Sequence, residues 1–172
     1  MNDLIFRQVR ILDGSGGEEL IGDVSVREGR INEVGTVTEG LAPSGREIIA
    51  DGAVLCPGLI DTHAHDDGAF FRHPGMQFKL SQGVTTVVSG NCGFSAIPAD
   101  PTKDSVAASG GILAGLEGEF TDLDGYYAAA LSRQPAINNM MLVGHNTVRS
   151  LVMGDSKSAP SDLQLQEMQR HV

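Results

Sequence analysis

PGLIDTHAHDDGAFFRHPGMQFKLSQGVTTVVSGNCGFSAIP, residues Pro57 to Pro98, carries the pattern on which the fold turns. Two short apolar runs rich in β-branched residues, Leu59 to Thr62 and Val84 to Val88, read as buried strands. Between them Pro74 to Gln82 reads as a helix, with His73 at its start. A strand, helix, strand order implies two neighbouring parallel strands, and so an α/β architecture. Polar residues follow each strand directly: His63 and His65 after the first, Asn91 and Cys92 after the second. In parallel α/β folds the ligand site lies at those carboxyl ends. Side chains of an extended segment alternate with period two, so His63 and His65 share a face, and Cys92 arrives at the same rim from the next strand. Two imidazoles and a thiolate form a nitrogen-and-sulfur donor set suited to zinc. Each residue alone has a plainer explanation, since spaced histidine pairs arise by chance and a solitary cysteine usually fills apolar space. Their convergence at one rim, behind a Pro-Gly turn, favours the metal.

Upstream the pattern is all-β. Residues 3 to 12, Asp23 to Arg27 and Ile31 to Val37 read as strands, with Glu28-Gly29-Arg30 as a tight turn that Gly29 allows through positive φ. Residues 38 to 45 read as a loop, followed by short strands at Glu47 to Ala50 and Ala53 to Cys56. The expected organisation is therefore a small β unit over residues 1–56 and an α/β unit over residues 57–172. Cys56 closes the β unit and is expected to pack there rather than bind metal.

Downstream, Gly93 to Lys103 is a long connection with Pro98 and Pro101, and Asp104 to Leu116 reads as a weak helix interrupted by Gly110 and Gly111. Asp122 is placed to cap a helix over Leu123 to Arg133. Asn139 to Val143 reads as a third buried strand ending in Gly144-His145-Asn146, with a short helix over Arg149 to Met153. Ser161 and Asp162 open a last helix. His145 reaches the same rim as the metal candidates and is a candidate substrate contact. Asp61 faces the histidines and could orient one of them; Asp66 and Asp67 are assigned to the loop, and His171 carries no functional signal.

A formal charge of −10 argues against nucleic acid, whose phosphates require basic patches. No apolar run reaches membrane-spanning length, and the first residues lack the pattern of a signal peptide. With only two cysteines, Cys56 and Cys92, no disulfide framework is indicated, so a cytoplasmic setting is expected.

PGLIDTHAHDD resembles the first barrel strand of the metal-dependent amidohydrolases. KLSQGVTTVVSGNCGFSAIP, together with LVGHNTVRSLVMG (Leu142 to Gly154), is similar to one branch of them, the N-acyl-D-amino-acid deacylases or D-aminoacylases. The resemblance implies a small β-sandwich domain preceding a (β/α)₈ barrel, of which residues 57–172 would supply the first three βα units. It implies metal ligation by His63, His65 and Cys92. In that branch the cysteine binds a tight zinc with two later histidines, and the His-X-His pair serves a weaker second position. The implied reaction is hydrolysis of an N-acyl-D-amino acid, a small-molecule substrate, to a carboxylate and a D-amino acid. Its general base is expected beyond Val172, so this stretch alone is expected to be inactive and open to self-association through an uncovered sheet edge. A cyclic-amide hydrolase of the hydantoinase or dihydroorotase type is the alternative enzyme, disfavoured because such enzymes use a lysine where this chain has Cys92. A non-catalytic, self-associating fragment is the alternative from another class.

Overall fold

A computed structural model describes residues 1–100 and 120–172 of the chain, which divides into two units, Met1–Pro57 and Gly58–Val172. The first contains β1 (Asn2–Ile11), β2 (Leu20–Arg27), β3 (Arg30–Gly35), β4 (Leu41–Ile49) and β5 (Val54–Leu55). They form one mixed sheet in the order β3-β2-β1-β4, with β5 also pairing β1. β2 is antiparallel to β1 and β3, whereas β4 and β5 run parallel to β1. Glu28 and Gly29 link β2 to β3 with φ of 50° and 71°, the doubly positive geometry that suits the twist of a two-residue hairpin. Val9, Ile11 and Val24 form the buried centre of this unit, with Phe6, Ala50 and Leu55 packed against it.

Two expectations for this unit need correction. The loop placed at residues 38 to 45 is partly strand, because β4 begins at Leu41. Its register against β1 jumps from Asn2–Leu41 to Leu4–Arg46, so Pro43 to Gly45 bulge out of the pairing. β4 lies at the end of the sheet, where a residue without an N–H is tolerated. Cys56 is exposed rather than packed, since β5 ends at Leu55 and the cysteine falls past the last pairing with β1.

The register of β1 against β2 also slips, between Phe6 and Val9, where Gln8 has φ of 56°. Asp23 secures this irregularity by accepting the Gln8 N–H at 2.9 Å and an Arg7 guanidinium N–H at 2.7 Å. The Arg7 hydrogen bond, helped by the Gln8 N–H, holds the Asp23 carboxyl below its ordinary range.

In the second unit β6 (Leu59–Asp61), β7 (Val84–Ser89) and β8 (Asn138–Met141) form a parallel sheet in sequence order. The helix expected at Pro74 to Gln82 is cut down to one turn, α2 (Gln77–Leu80), and a separate turn, α1 (Ala69–Arg72), precedes it outside the expected range. His73, expected to start a helix, ends α1. Pro74-Gly75 favours a turn over a continuing helix, and Met76 then adopts φ of 44° while its side chain is fully buried. α3 (Leu123–Ser132) is capped by Asp122, which accepts the Gly125 N–H at 2.8 Å. α4 (His145–Met153) starts four residues earlier than the helix expected from Arg149, so His145 is its first residue. α5 (Asp162–Arg170) opens with a reciprocal cap between Ser161 and Gln164. The weak helix expected at Asp104 to Leu116 lies outside the described residues.

The core of this unit gathers Phe70, Met76, Val87, Tyr126, Ile137 and Met141 among others. Tyr126 is its hub: its hydroxyl donates to the Asp67 carbonyl at 2.9 Å and accepts from the Asn139 side-chain amide at 3.3 Å. Its ring lies 5.3 Å from Phe120 and 5.4 Å from Phe71, centroid to centroid.

The Asp23 pair sets a pH dependence for the first unit. A carboxyl whose folded pKa is depressed contributes stability above its unfolded pKa, about 3.9, and loses that contribution as pH falls through the folded value. Asp23→Asn is expected to lower stability by roughly 1 kcal/mol at pH 7. Urea melts at pH 7 and at pH 2 are the check: the gap between wild type and variant should close at the lower pH.

Candidate metal centre

β6 ends at Asp61, whose Oδ1 accepts the His63 N–H at 3.2 Å. One residue further on, the Ala64 N–H donates to the Val88 carbonyl at 3.0 Å, extending the pairing with β7 past the end of β6. His63 and His65 therefore flank a backbone position fixed by the sheet. Their ring centroids stand 5.6 Å apart, at an interplanar angle of 71°.

The cysteine is delivered by an unusual backbone. Gly90 has φ of 81°, Cys92 55° and Gly93 82°, around a 3₁₀ turn at Asn91–Gly93. A left-handed conformation at a non-glycine residue carries a cost on the order of 1 kcal/mol or more and persists only where surroundings enforce it. The surroundings here are specific. The Asn91 side-chain amide donates to the Val88 carbonyl at 2.7 Å. The Ser95 N–H donates to Thr147 Oγ1 at 2.9 Å, and Ser95 Oγ accepts the Gly144 N–H at 2.9 Å. A Cβ on Gly90 would lie 2.0 Å from the Leu142 carbonyl oxygen, so only glycine lets the β7 and β8 rims approach this closely.

Cys92 Sγ consequently stands 3.1 Å from His63 Nε2. The donor atoms of His63, His65 and Cys92 all lie within 4.8 Å of one another, so the three residues singled out in the sequence converge. The set fits a zinc ion in kind and in spacing. His65 also leaves its Nδ1 buried without a hydrogen-bond partner among the described residues, a costly arrangement for a ring nitrogen with no further function.

The neighbouring acids take distinct structural roles. Asp61 supports the His63 backbone rather than an imidazole, and its Oδ2 receives Lys79 Nζ at 2.7 Å. Lys79 and the His63 N–H hold its carboxyl below the ordinary range. Asp66 pairs with the same ammonium at 2.9 Å. Asp67 is fully buried, accepts the Ala96 N–H at 2.9 Å, and burial pushes its carboxyl up. Asp66 and Asp67 thus do the loop work expected of them. His145 is exposed at the start of α4 and lies outside the three-donor group. It lines a mostly apolar groove with Val148, Leu165 and Met168. Asn91 was placed at the rim by its position after the second strand, whereas Lys79 and Ser95 were not singled out in the sequence. The one available signal was a lysine facing three nearby aspartates across a short connection.

Gly90→Ala is expected to destabilise the second unit by on the order of 3 kcal/mol, because the added methyl meets backbone and the φ is unfavourable. Thermal melting followed by circular dichroism measures this. A variant melting within a degree or two of wild type would contradict the close approach.

A family model described as the amidohydrolase family matches residues 46–170. N-acyl-D-glutamate deacylase of Alcaligenes xylosoxydans xylosoxydans is 39% identical over 168 residues, a match covering 98% of this chain and 34% of the relative. D-aminoacylase of the same organism is 34% identical over 170 residues, covering 96% of this chain and 34% of the relative. Among solved structures, N-acyl-D-glutamate deacylase from Bordetella bronchiseptica, complexed with zinc and a phosphonate mimic of the tetrahedral intermediate, aligns with a TM-score of 0.84. That match has 38% identity and covers 99% of this chain and 35% of the other. The chain spans about a third of the length of these relatives.

Proposed function

The chain belongs to the amidohydrolase family, and we propose from this that it carries metal ligands of a zinc enzyme hydrolysing the amide bond of N-acyl-D-amino acids. The products would be a carboxylate and a D-amino acid. The observation that carries the reading is the convergence of His63, His65 and Cys92 at the carboxyl ends of two adjacent parallel strands. It occurs in a chain 39% identical to a protein named N-acyl-D-glutamate deacylase.

In this reading His63, His65 and Cys92 hold zinc, and the sulfur donor supplies negative charge that two neutral imidazoles cannot. Bound zinc would lower the pKa of water toward neutrality and polarise the acyl carbonyl. This chain's contribution is to place the donors. The Ala64–Val88 hydrogen bond sets the histidine segment against β7, and the left-handed turn aims Cys92 at it. His145 is assigned to substrate contact at the same rim. No carboxylate joins the three donors among the described residues, so no general base is assigned among them.

The wider architecture follows the same proposal: β6, β7 and β8 as the opening strands of a (β/α)₈ barrel, and residues 1–56 as part of a β-sandwich domain. Leu59 and Ile60 of β6, at the end of the sheet, are more than half exposed, as is Met140 of β8. An apolar outer strand of this kind favours association of copies. Light scattering at rising concentration is expected to show oligomers, and a monodisperse monomer throughout would refute that part.

The metal reading is tested by zinc uptake and thiol protection. Zinc should shield Cys92 from alkylation, and Cys56, exposed and outside the donor group, should stay reactive. Cys92→Ala should lose zinc by at least about tenfold in affinity, more than His63→Ala loses, while Cys56→Ala keeps it. Zinc stoichiometry unchanged in Cys92→Ala would remove the assignment. For the substrate class, an N-acyl phosphonate of D configuration should bind the zinc-loaded chain and not the Cys92→Ala variant. Calorimetry showing no zinc-dependent binding, or equal binding of the L form, would count against it.

A further inference from the structure

His63 and His65 sit on a segment with no regular structure of its own, between β6 and α1. A carboxylate stands at each end of it. Asp61 lies on the β6 side and Asp66 directly after His65. Lys79, from α2, reaches both: its Nζ is 2.7 Å from Asp61 Oδ2 and 2.9 Å from Asp66 Oδ2. The remaining Asp61 oxygen accepts the His63 N–H. The chain therefore runs from ammonium to carboxylate to the backbone of one histidine, and from the same ammonium to the residue following the other.

The shielding of this bridge gives it weight. Lys79 is 18% exposed and Asp66 17%, so the contact lies away from open solvent, where ion pairs contribute little. Burial alone would lower the Lys79 pKa, but the two carboxylates outweigh it and hold the ammonium above its ordinary value. Asp66 Oδ2 is buried and makes no well-aligned hydrogen bond among the described residues, which leaves the Lys79 charge to compensate it. α2 is a single turn that follows the fully buried Met76 and packs Leu80 against the core, and this lysine adds an ionic tie from it to both ends of the histidine segment.

We propose that Lys79 is a positioning residue for the metal centre: clamped between Asp61 and Asp66, it holds the His63–Ala64–His65 segment in the geometry that presents both imidazoles beside Cys92. The proposal rests on the metal reading of that site. A plainer role is available to Lys79, as an ion pair that stabilises the fold without affecting the ligands. Electrostatics alone would give a third result, because removing a cation near the site favours zinc. Geometry and charge thus act in opposite directions on zinc affinity, and the sign of the change separates them.

The experiment compares wild type with Lys79→Met, Lys79→Arg and, as a control on an exposed loop, Lys157→Met. Zinc affinity is read by competition with a chromophoric chelator, ligand geometry by the thiolate-to-cobalt charge-transfer and d–d bands of the cobalt-substituted protein, and folding by melts of the metal-free protein. Lys79→Met is expected to weaken zinc by roughly 10- to 100-fold and to shift the cobalt spectrum. Lys79→Arg, which can still bridge two carboxylates, should recover most of the affinity and the wild-type spectrum, and Lys157→Met should match wild type. Should Lys79→Met fail to fold, Asp66→Asn, which weakens one arm of the bridge and keeps the amine, is read by the cobalt spectrum, which should shift as in Lys79→Met, because losing the carboxylate charge lowers zinc affinity by itself. A folded Lys79→Met that binds zinc as tightly as wild type or more tightly, or an Asp66→Asn with the wild-type cobalt spectrum, overturns the proposal. If wild type itself takes up no zinc through Cys92, the metal reading falls and this proposal with it. That result differs plainly from zinc uptake that the lysine variants share.

Discussion

The hydrogen bond from the Ala64 N–H to the Val88 carbonyl is the constraint on which the arrangement of His63, His65 and Cys92 depends. It lies past the end of β6, where a strand would normally release the chain into a loop. Extending the pairing by that single bond pins the residue between the two histidines to the neighbouring strand. The same Val88 carbonyl accepts the Asn91 amide, so one oxygen fastens both the histidine segment and the turn that bears the cysteine. A parallel sheet supplies this arrangement readily, because the carboxyl ends of adjacent strands face the same way.

Around that point the donors are held by charge on one side and by glycine on the other. Asp61, Asp66 and Lys79 brace the histidine side through ionic contacts shielded from water. Among the described residues the cysteine side shows no such pair. Its support is steric: Gly90 against the Leu142 carbonyl, and Gly144 against the Gly93 carbonyl, with gaps too narrow for any side chain. Backbone strain at Cys92 is sustained because the Ser95 and Thr147 hydrogen bonds leave the turn no relaxed alternative.

Much of this was legible in the residues. Leu59 to Thr62 and Val84 to Val88 announced themselves as strands through β-branched apolar runs, and polar residues at their ends marked the rim. His63, His65 and Cys92 could be brought together on paper because strand periodicity and parallel pairing are geometric rules. What escaped had long-range causes. Pro74 to Gln82 has the composition of a helix, but burying Met76 forces a left-handed residue into its first turn. β4 runs through Pro43 only because its place at the sheet end removes the need for that N–H. Cys56 looked like core by residue type, and its exposure follows from a strand that ends one residue too soon. Lys79 could not be assigned, since its partners are chosen by how two isolated helical turns fold back on β6.

The stitching of the β7 rim to the start of α4 has a consequence in time. Ser95 is bound to Thr147 across 52 residues, and Gly90 lies directly against the Leu142 carbonyl. A chain synthesised only as far as Ser95 already contains both histidines and the cysteine, but it lacks the Gly144 and Thr147 partners that fasten Ser95 behind the thiol's turn. The three side chains are therefore held together late, when β8 and the start of α4 dock, and not when Cys92 leaves the ribosome.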